Sequence, residues 1–149
     1  MAIADALGDL CLLVSTILFA ETIARNVPEN RYYAYQLIQR PEPVDPKLPP
    51  WLGVIHGTNN KFLFTVPADE TMTAETHRLS TEIIRAWANF AKTGRPGLMG
   101  GVQWEEAFVD RKDPVTRLLT LKWDDFRMVE GPHKEVVDFW RPILFQQKE

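Results

Sequence analysis

The sequence predicts a mixed fold, a few strands with helices packed on them. Three stretches carry that prediction. Leu79, Ile83, Trp87, Phe90 and Ala91 fall on one stripe of a helix whose other positions are mainly polar. Arg31 to Ile38 is aromatic-rich and holds few breakers, which suits a strand. Leu118-Leu119-Thr120-Leu121 predicts a second, short strand, expected at a sheet edge. The 149 residues are 45% apolar and 25% charged, a composition that suits one domain or a large piece of one.

Taken in order, Ala6 to Arg25 opens the chain with Leu7, Leu10, Val14, Ile17 and Leu18 at helical spacing. Leu12, Leu13 and Phe19 fill the opposite side, so the helix is expected to be covered nearly all round, inside a larger body. Its uncharged run, Leu10 to Ala20, falls short of the roughly 20 residues that cross a bilayer. Asp5 and Asp9 precede it, where an export signal carries Lys or Arg. A buried helix is expected, with no membrane span and no signal peptide.

Arg40 to Pro50 holds Pro41, Pro43, Pro46, Pro49 and Pro50. Proline fixes φ and removes donors, so this is an extended surface loop. It leads to Trp51-Leu-Gly-Val-Ile-His-Gly57, a tight glycine-flanked turn that carries a histidine between Val54-Ile55 and Phe62-Leu63-Phe64. An imidazole at the edge of a packed core can carry a proton near neutral pH. On the turn alone, a satisfied structural residue is the default reading of His56.

Asp69 to Thr73 is polar and starts a helix, with Thr73 as N-cap and Glu75 in the first turn. Lys92, Thr93 and Gly94 end it, and Pro96-Gly97 forbids continuation. Trp87 and Phe90 are core anchors rather than a cofactor site. Gly97 to Gly101 is a loop, and Lys134 to Gln146 is helical, with a kink or interruption expected at Pro142.

Charge and cysteines exclude several function classes. The net charge is −3 with no basic cluster, so no nucleic-acid partner is expected. Cys11 stands alone, which rules out an internal disulfide and any CxxC metal spacing. His56, His77 and His133 lie far apart and form no HExxH pattern, so neither metal nor cofactor is predicted.

Two motifs together resemble the C-terminal part of a cholinesterase, within the type-B carboxylesterases of the α/β-hydrolase family. Trp51-Leu-Gly-Val-Ile-His56-Gly57 followed by Phe62-Leu-Phe64 is similar to the family's catalytic-histidine loop. Trp87-Ala-Asn-Phe90-Ala-Lys-Thr93-Gly94-Arg-Pro96 resembles its Trp-x-x-Phe-Ala-x-x-Gly-x-Pro helix end. Gly8-Asp9, Tyr33-x-Tyr35, Trp104 and Phe139-Trp140 follow the expected order. The resemblance covers nearly the whole chain and implies that residues 1–149 form the C-terminal segment of a type-B carboxylesterase domain. The implied fold is the C-terminal portion of an α/β-hydrolase, an incomplete one with a few strands of the central sheet and their packing helices.

The resemblance also implies roles. A serine at a Gly-x-Ser-x-Gly elbow attacks the ester carbonyl, a histidine takes its proton and returns it to the leaving alcohol, and an acid orients the ring. His56 matches that histidine, with Ile55 and Trp51 near the wall of the substrate gorge. The substrate is a small ester if the enzyme is complete. Family members are often secreted and dimerise through C-terminal helices, which makes a homodimer through the last helix an expectation too.

Departures from the family pattern bound these roles. Ser15 and Ser80 are the only serines, and neither sits in Gly-x-Ser-x-Gly. The acid and the oxyanion-hole glycines lie farther upstream in the family, so the chain alone is expected to be inactive. Thr58 and Asn59 stand where cholinesterases carry an aromatic residue and a glutamate, which argues against choline as substrate. Val14 and Val137 take the positions of a cysteine pair, and an apolar contact between them is expected in place of a bridge worth roughly 2–4 kcal/mol. Two rival readings compete with the hydrolase fragment. One is a non-catalytic, cholinesterase-like interaction protein; the other is a self-standing α+β domain with no inherited site. The fragment reading predicts exposed apolar surface on the first helix and on Tyr33 to Ile38.

Overall fold

The computed structural model describes residues 2–42, 46–64, 72–110, 112 and 116–145. In chain order the elements are α1 (Ala2–Gly8), a π-helical stretch (Asp9–Val14), α2 (Ser15–Asn26), β1 (Tyr35–Leu37), a 3₁₀ turn (Pro50–Leu52), α3 (Asn59–Leu63), α4 (Ala74–Thr93), β2 (Leu98–Met99), β3 (Val102–Gln103), β4 (Arg117–Leu121), β5 (Arg127–Glu130) and α5 (Lys134–Leu144). Helices and strands mix as an α/β protein requires. The chain divides into two units, residues 1–34, 106–117 and 130–149 in the first and 35–105 and 118–129 in the second.

In the first unit, α1, the π-helical stretch and α2 run on without a break. Ser15 Oγ donates to Leu10 O at 2.6 Å at the end of the widened turn. Val14, Ile17 and Leu18 form a buried cluster with Val137 of α5, and Leu13, Val136 and Trp140 pack on it. Val14 and Val137 thus share one core, the apolar neighbourhood expected of them. Lower on α2, Ala24 is buried with Ala107 and Phe108, and Tyr32 meets Phe108 edge-on at 6.1 Å.

This helix corrects the expectation of burial. Ile3 is 79% exposed and Phe19 66%, with Leu7 and Leu12 also exposed. One stripe meets α5, and no described element of this unit covers the opposite apolar side. The length argument against a membrane span fails as well. Ile3–Asn26 forms one helix of 24 residues holding an 18-residue window of mean hydropathy 1.9, long and apolar enough by length and composition to cross a bilayer. Core helices and signal sequences meet the same test. α5 continues past Pro142 to Leu144, because a proline near the end of a helix removes only one late hydrogen bond. Gln146 lies outside the described residues.

The second unit holds a three-stranded sheet in the order β1-β4-β5. β1 pairs parallel to β4, Tyr35 opposite Leu119 and Leu37 opposite Leu121. β4 is therefore central, not an edge. Its Leu118, Leu119, Thr120 and Leu121 are all buried, and a near-continuous apolar run is what a strand covered on both faces shows. The expected strand Arg31 to Ile38 is regular only over Tyr35–Leu37.

α4 spans Ala74–Thr93, capped at Thr73, whose Oγ1 accepts from Thr76 N at 3.3 Å, and at Gly94 with φ 71°. Leu79, Ile83 and Ala86 are buried, while Phe90 at the end of the predicted stripe is exposed. The segment expected to be a loop at Gly97 to Gly101 is a hairpin. Leu98 pairs with Gln103 and Met99 with Val102, joined by Gly100 and Gly101 at φ 56° and 82°. Two consecutive positive φ values suit a two-residue hairpin turn and favour glycine at both positions. The polar stretch before Met72 lies outside the described residues.

Candidate functional site

The site predicted from sequence lies wholly in the second unit, on the turn that precedes α3. Thr58 N donates to Ile55 O at 3.1 Å, closing a β-turn with His56 and Gly57 at its centre. Gly57 sits at φ 81°, the left-handed value that the third position of a type II turn requires. Asn60 N then donates to Gly57 O at 3.0 Å and leads directly into α3. The turn is held from behind. Phe62 is fully buried, and the Ser80 hydroxyl of α4 donates to its carbonyl at 2.5 Å.

This scaffold presents His56 to solvent. Its ring lies on the wall of a cavity of about 160 Å³, with Ile55, Arg40, Leu48 and Lys61 among the lining residues. Sites that enclose a whole small molecule usually run from about 300 Å³ upward, so this cleft has room for only part of one. Ile55 and His56 are brought together. Trp51, the other predicted wall residue, is exposed and does not line the cavity.

Among the described residues His56 has no hydrogen bond or ion pair, and no carboxylate lines the cavity. A general base needs an acceptor for its second ring N–H, which fixes tautomer and orientation. Among the described residues the ring is placed by its backbone turn. The charged neighbours are cations, Arg40 and Lys61. No cluster of metal-binding side chains occurs among the described residues.

Asn59 departs from the family pattern, and the structure gives it a partner. Its Nδ2 donates to the Tyr35 hydroxyl at 3.3 Å. Tyr35 meets Trp87 edge-on at 4.9 Å and Trp104 at 6.1 Å. Burial in this aromatic cluster raises the Tyr35 phenol above its ordinary value of 10.0, against a lowering pull from Asn59. Thr58, the other departure, is buried. Sequence reasoning missed Arg40 and Lys61, since one lies at a proline-rich connector and the other on α3, and no sequence spacing links them.

The carboxylesterase family model matches residues 1–140. Acetylcholinesterase-1 of Trittame loki is 27% identical over 146 residues, which cover 96% of this chain and 25% of that protein. The cholinesterase of Mus musculus is 28% identical across 94% of this chain and 23% of its own length. Acetylcholinesterase of Bungarus fasciatus is 34% identical over 97 residues, 64% of this chain and 15% of its own. The chain thus spans a quarter or less of the length of these relatives.

Proposed function

Because the chain belongs to the carboxylesterase family, we propose that it is the C-terminal segment of a carboxylic-ester hydrolase and supplies the general base, His56. A serine hydroxyl from upstream sequence attacks the ester carbonyl while His56 takes its proton. His56 then protonates the departing alcohol, and water repeats the cycle on the acyl-enzyme. The observation that carries this reading is the position of the ring. It is exposed on a cavity wall, on a glycine-fixed turn, within the stretch the family model matches. Ile55 forms the substrate wall beside it. Trp51 reaches the substrate only if upstream sequence completes the gorge around it.

On its own the chain is inactive by this reading. Ser15 bonds back into its own helix and Ser80 is buried under α3. Among the described residues His56 has no acid to hold it. The exposed apolar side of the first helix, and separately the exposed Ile38, supply surfaces on which the rest of such a domain packs. α5 leaves Phe139, Ile143 and Leu144 exposed, which suits a homodimer through this helix; a monomer in sedimentation at micromolar concentration removes that part.

The test has two arms. The isolated chain should neither turn over p-nitrophenyl acetate faster than its His56→Ala variant nor label with an organophosphate. Labelling would overturn its inactivity. Joined to an upstream segment that carries Gly-x-Ser-x-Gly, it should gain activity that His56→Ala lowers by roughly a thousandfold or more. An unchanged rate in that variant removes His56 as the base. A second reading, a non-catalytic interaction protein, draws support from Thr58 and Asn59, which serve packing and the Tyr35 hydroxyl. Natural upstream sequence with the elbow serine replaced would decide for it.

A further inference from the structure

The histidine turn runs straight into α3, a helix of only five residues with no side-chain cap at its start. So short a helix is not stable by itself, and its place is set by what holds it from outside. His56 moves with it. Gly57 O accepts from Asn60 N at 3.0 Å and Thr58 O from Lys61 N at 3.1 Å, which joins the turn to the first residues of α3. Among the described residues no hydrogen bond or ion pair holds the His56 ring itself, so whatever fixes α3 decides where the ring sits.

Side-chain bonds reach α3 at both ends. At its start Asn59 Nδ2 donates to the Tyr35 hydroxyl at 3.3 Å. In its last turn, where carbonyls run out of intrahelical donors, Phe62 O accepts from the Ser80 hydroxyl at 2.5 Å. Both bonds trace back to α4. Ser80 belongs to that helix and is only 4% exposed. Trp87 lies seven residues further on, hence on the same face, and meets the Tyr35 ring edge-on at 4.9 Å. The capped helix α4 is therefore a fixed reference for a segment that cannot hold its own shape.

We propose that Ser80 and Asn59 are positioning residues for His56, tying the histidine turn to α4 from the two ends of α3, a role that rests on His56 being the general base. Neither residue touches substrate. Their contribution is geometric, because a displacement of about 1 Å at a reacting group can cost on the order of a hundredfold in rate. The Ser80 bond is the stronger, since it is buried and a buried carbonyl stripped of a donor is costly. The Asn59 bond is exposed and weaker.

Nitrogen relaxation measured by NMR on the full chain reads this tether in the folded state, where a mere loss of stability leaves no mark. The amides of His56 and Gly57 should be ordered in the wild type, with order parameters of about 0.85. Ser80→Ala should drop them below about 0.6, and Asn59→Ala should lower them less, while Ile83 and Ala86 of α4 keep wild-type values. A lowered melting temperature with an unchanged turn would mean that Ser80 and Asn59 only stabilise the fold, and would overturn the proposal. Tyr35→Phe should match Asn59→Ala, and the double variant should be no more mobile than either, as one shared bond requires. Asn59→Ala should also delay the Tyr35 ionisation further, because the Asn59 amide favours the phenolate. An unchanged titration removes Asn59 from the tether. In the chain joined to an upstream segment with Gly-x-Ser-x-Gly, Ser80→Ala should lower kcat roughly tenfold and leave KM within about twofold. A mobile turn with an unchanged kcat overturns the positioning role. Should His56→Ala leave the rate unchanged instead, the base itself is misassigned, whereas the relaxation data still report whether the tether exists.

Discussion

The two long helices of this chain are both rich in apolar residues, yet they solve the problem of being a helix in opposite ways. α4 keeps its apolar residues largely to one side, buries Leu79, Ile83 and Ala86, and closes both ends with its own residues, Thr73 and Gly94. The run from α1 through α2 is apolar all round. Only one stripe of it packs on α5, and Leu12 and Phe19 stay exposed. The difference teaches where stability comes from. A capped, amphipathic helix specifies its own ends and its own face. A helix apolar on every side defers that choice to whatever surrounds it.

Core truncation should break the comparison most widely. Leu79→Ala removes a fully buried side chain beside α3 and should destabilise by about 2–5 kcal/mol. Phe19→Ser, on the uncovered side of α2, should cost no more than about 0.5 kcal/mol in the isolated chain. Urea unfolding of both variants measures the contrast. If Phe19→Ser proves as damaging as Leu79→Ala, the exposed side of the first helix is covered in solution, and the two helices are more alike than they look.

Caps come next in size. Thr73 Oγ1 accepts the Thr76 amide and lies 3.0 Å from the Thr76 hydroxyl, whose oxygen accepts from Glu42 N at 3.1 Å. Thr73→Ala should therefore cost about 1 kcal/mol, and Thr73→Ser should restore most of it. Chemical denaturation of the pair reads this out. No loss in Thr73→Ala would mean that α4 is held by packing alone, as the first helix is.

These cases mark what could be read in the chain before any coordinates. Thr73, Gly94 and the Leu79–Ile83 stripe signal helix ends and face locally, so α4 was legible almost to the residue. β4 was legible as a strand but not as the central one, because pairing order depends on which distant segment, here Tyr35–Leu37, lies alongside. The hairpin at Leu98–Gln103 was missed because its strands are two residues each, too short for a period to register. At the candidate site, His56 and its turn were visible through Gly57. Its neighbours Arg40 and Lys61 were not, since no sequence spacing links a proline loop to α3. Burial of the first helix was misjudged for the reason the comparison gives: sequence shows that a face is apolar, not that something covers it.

The smallest effect concerns the far end of α4, where Trp87 stacks edge-on with Tyr35 at 4.9 Å. Burial there raises the Tyr35 phenol above 10.0, so the folded chain keeps this proton at a pH where the unfolded chain has lost it. The stabilising contribution is whole below pH about 10 and is lost as pH rises from that value through the higher folded one. Absorbance at 295 nm should show one of the three tyrosines ionising late, and Tyr35→Phe should remove that late component. In denaturant the wild-type delay should vanish. A late component that survives Tyr35→Phe would move the buried phenol elsewhere and would leave α4 less firmly anchored at this end than its caps suggest, narrowing the contrast with the first helix.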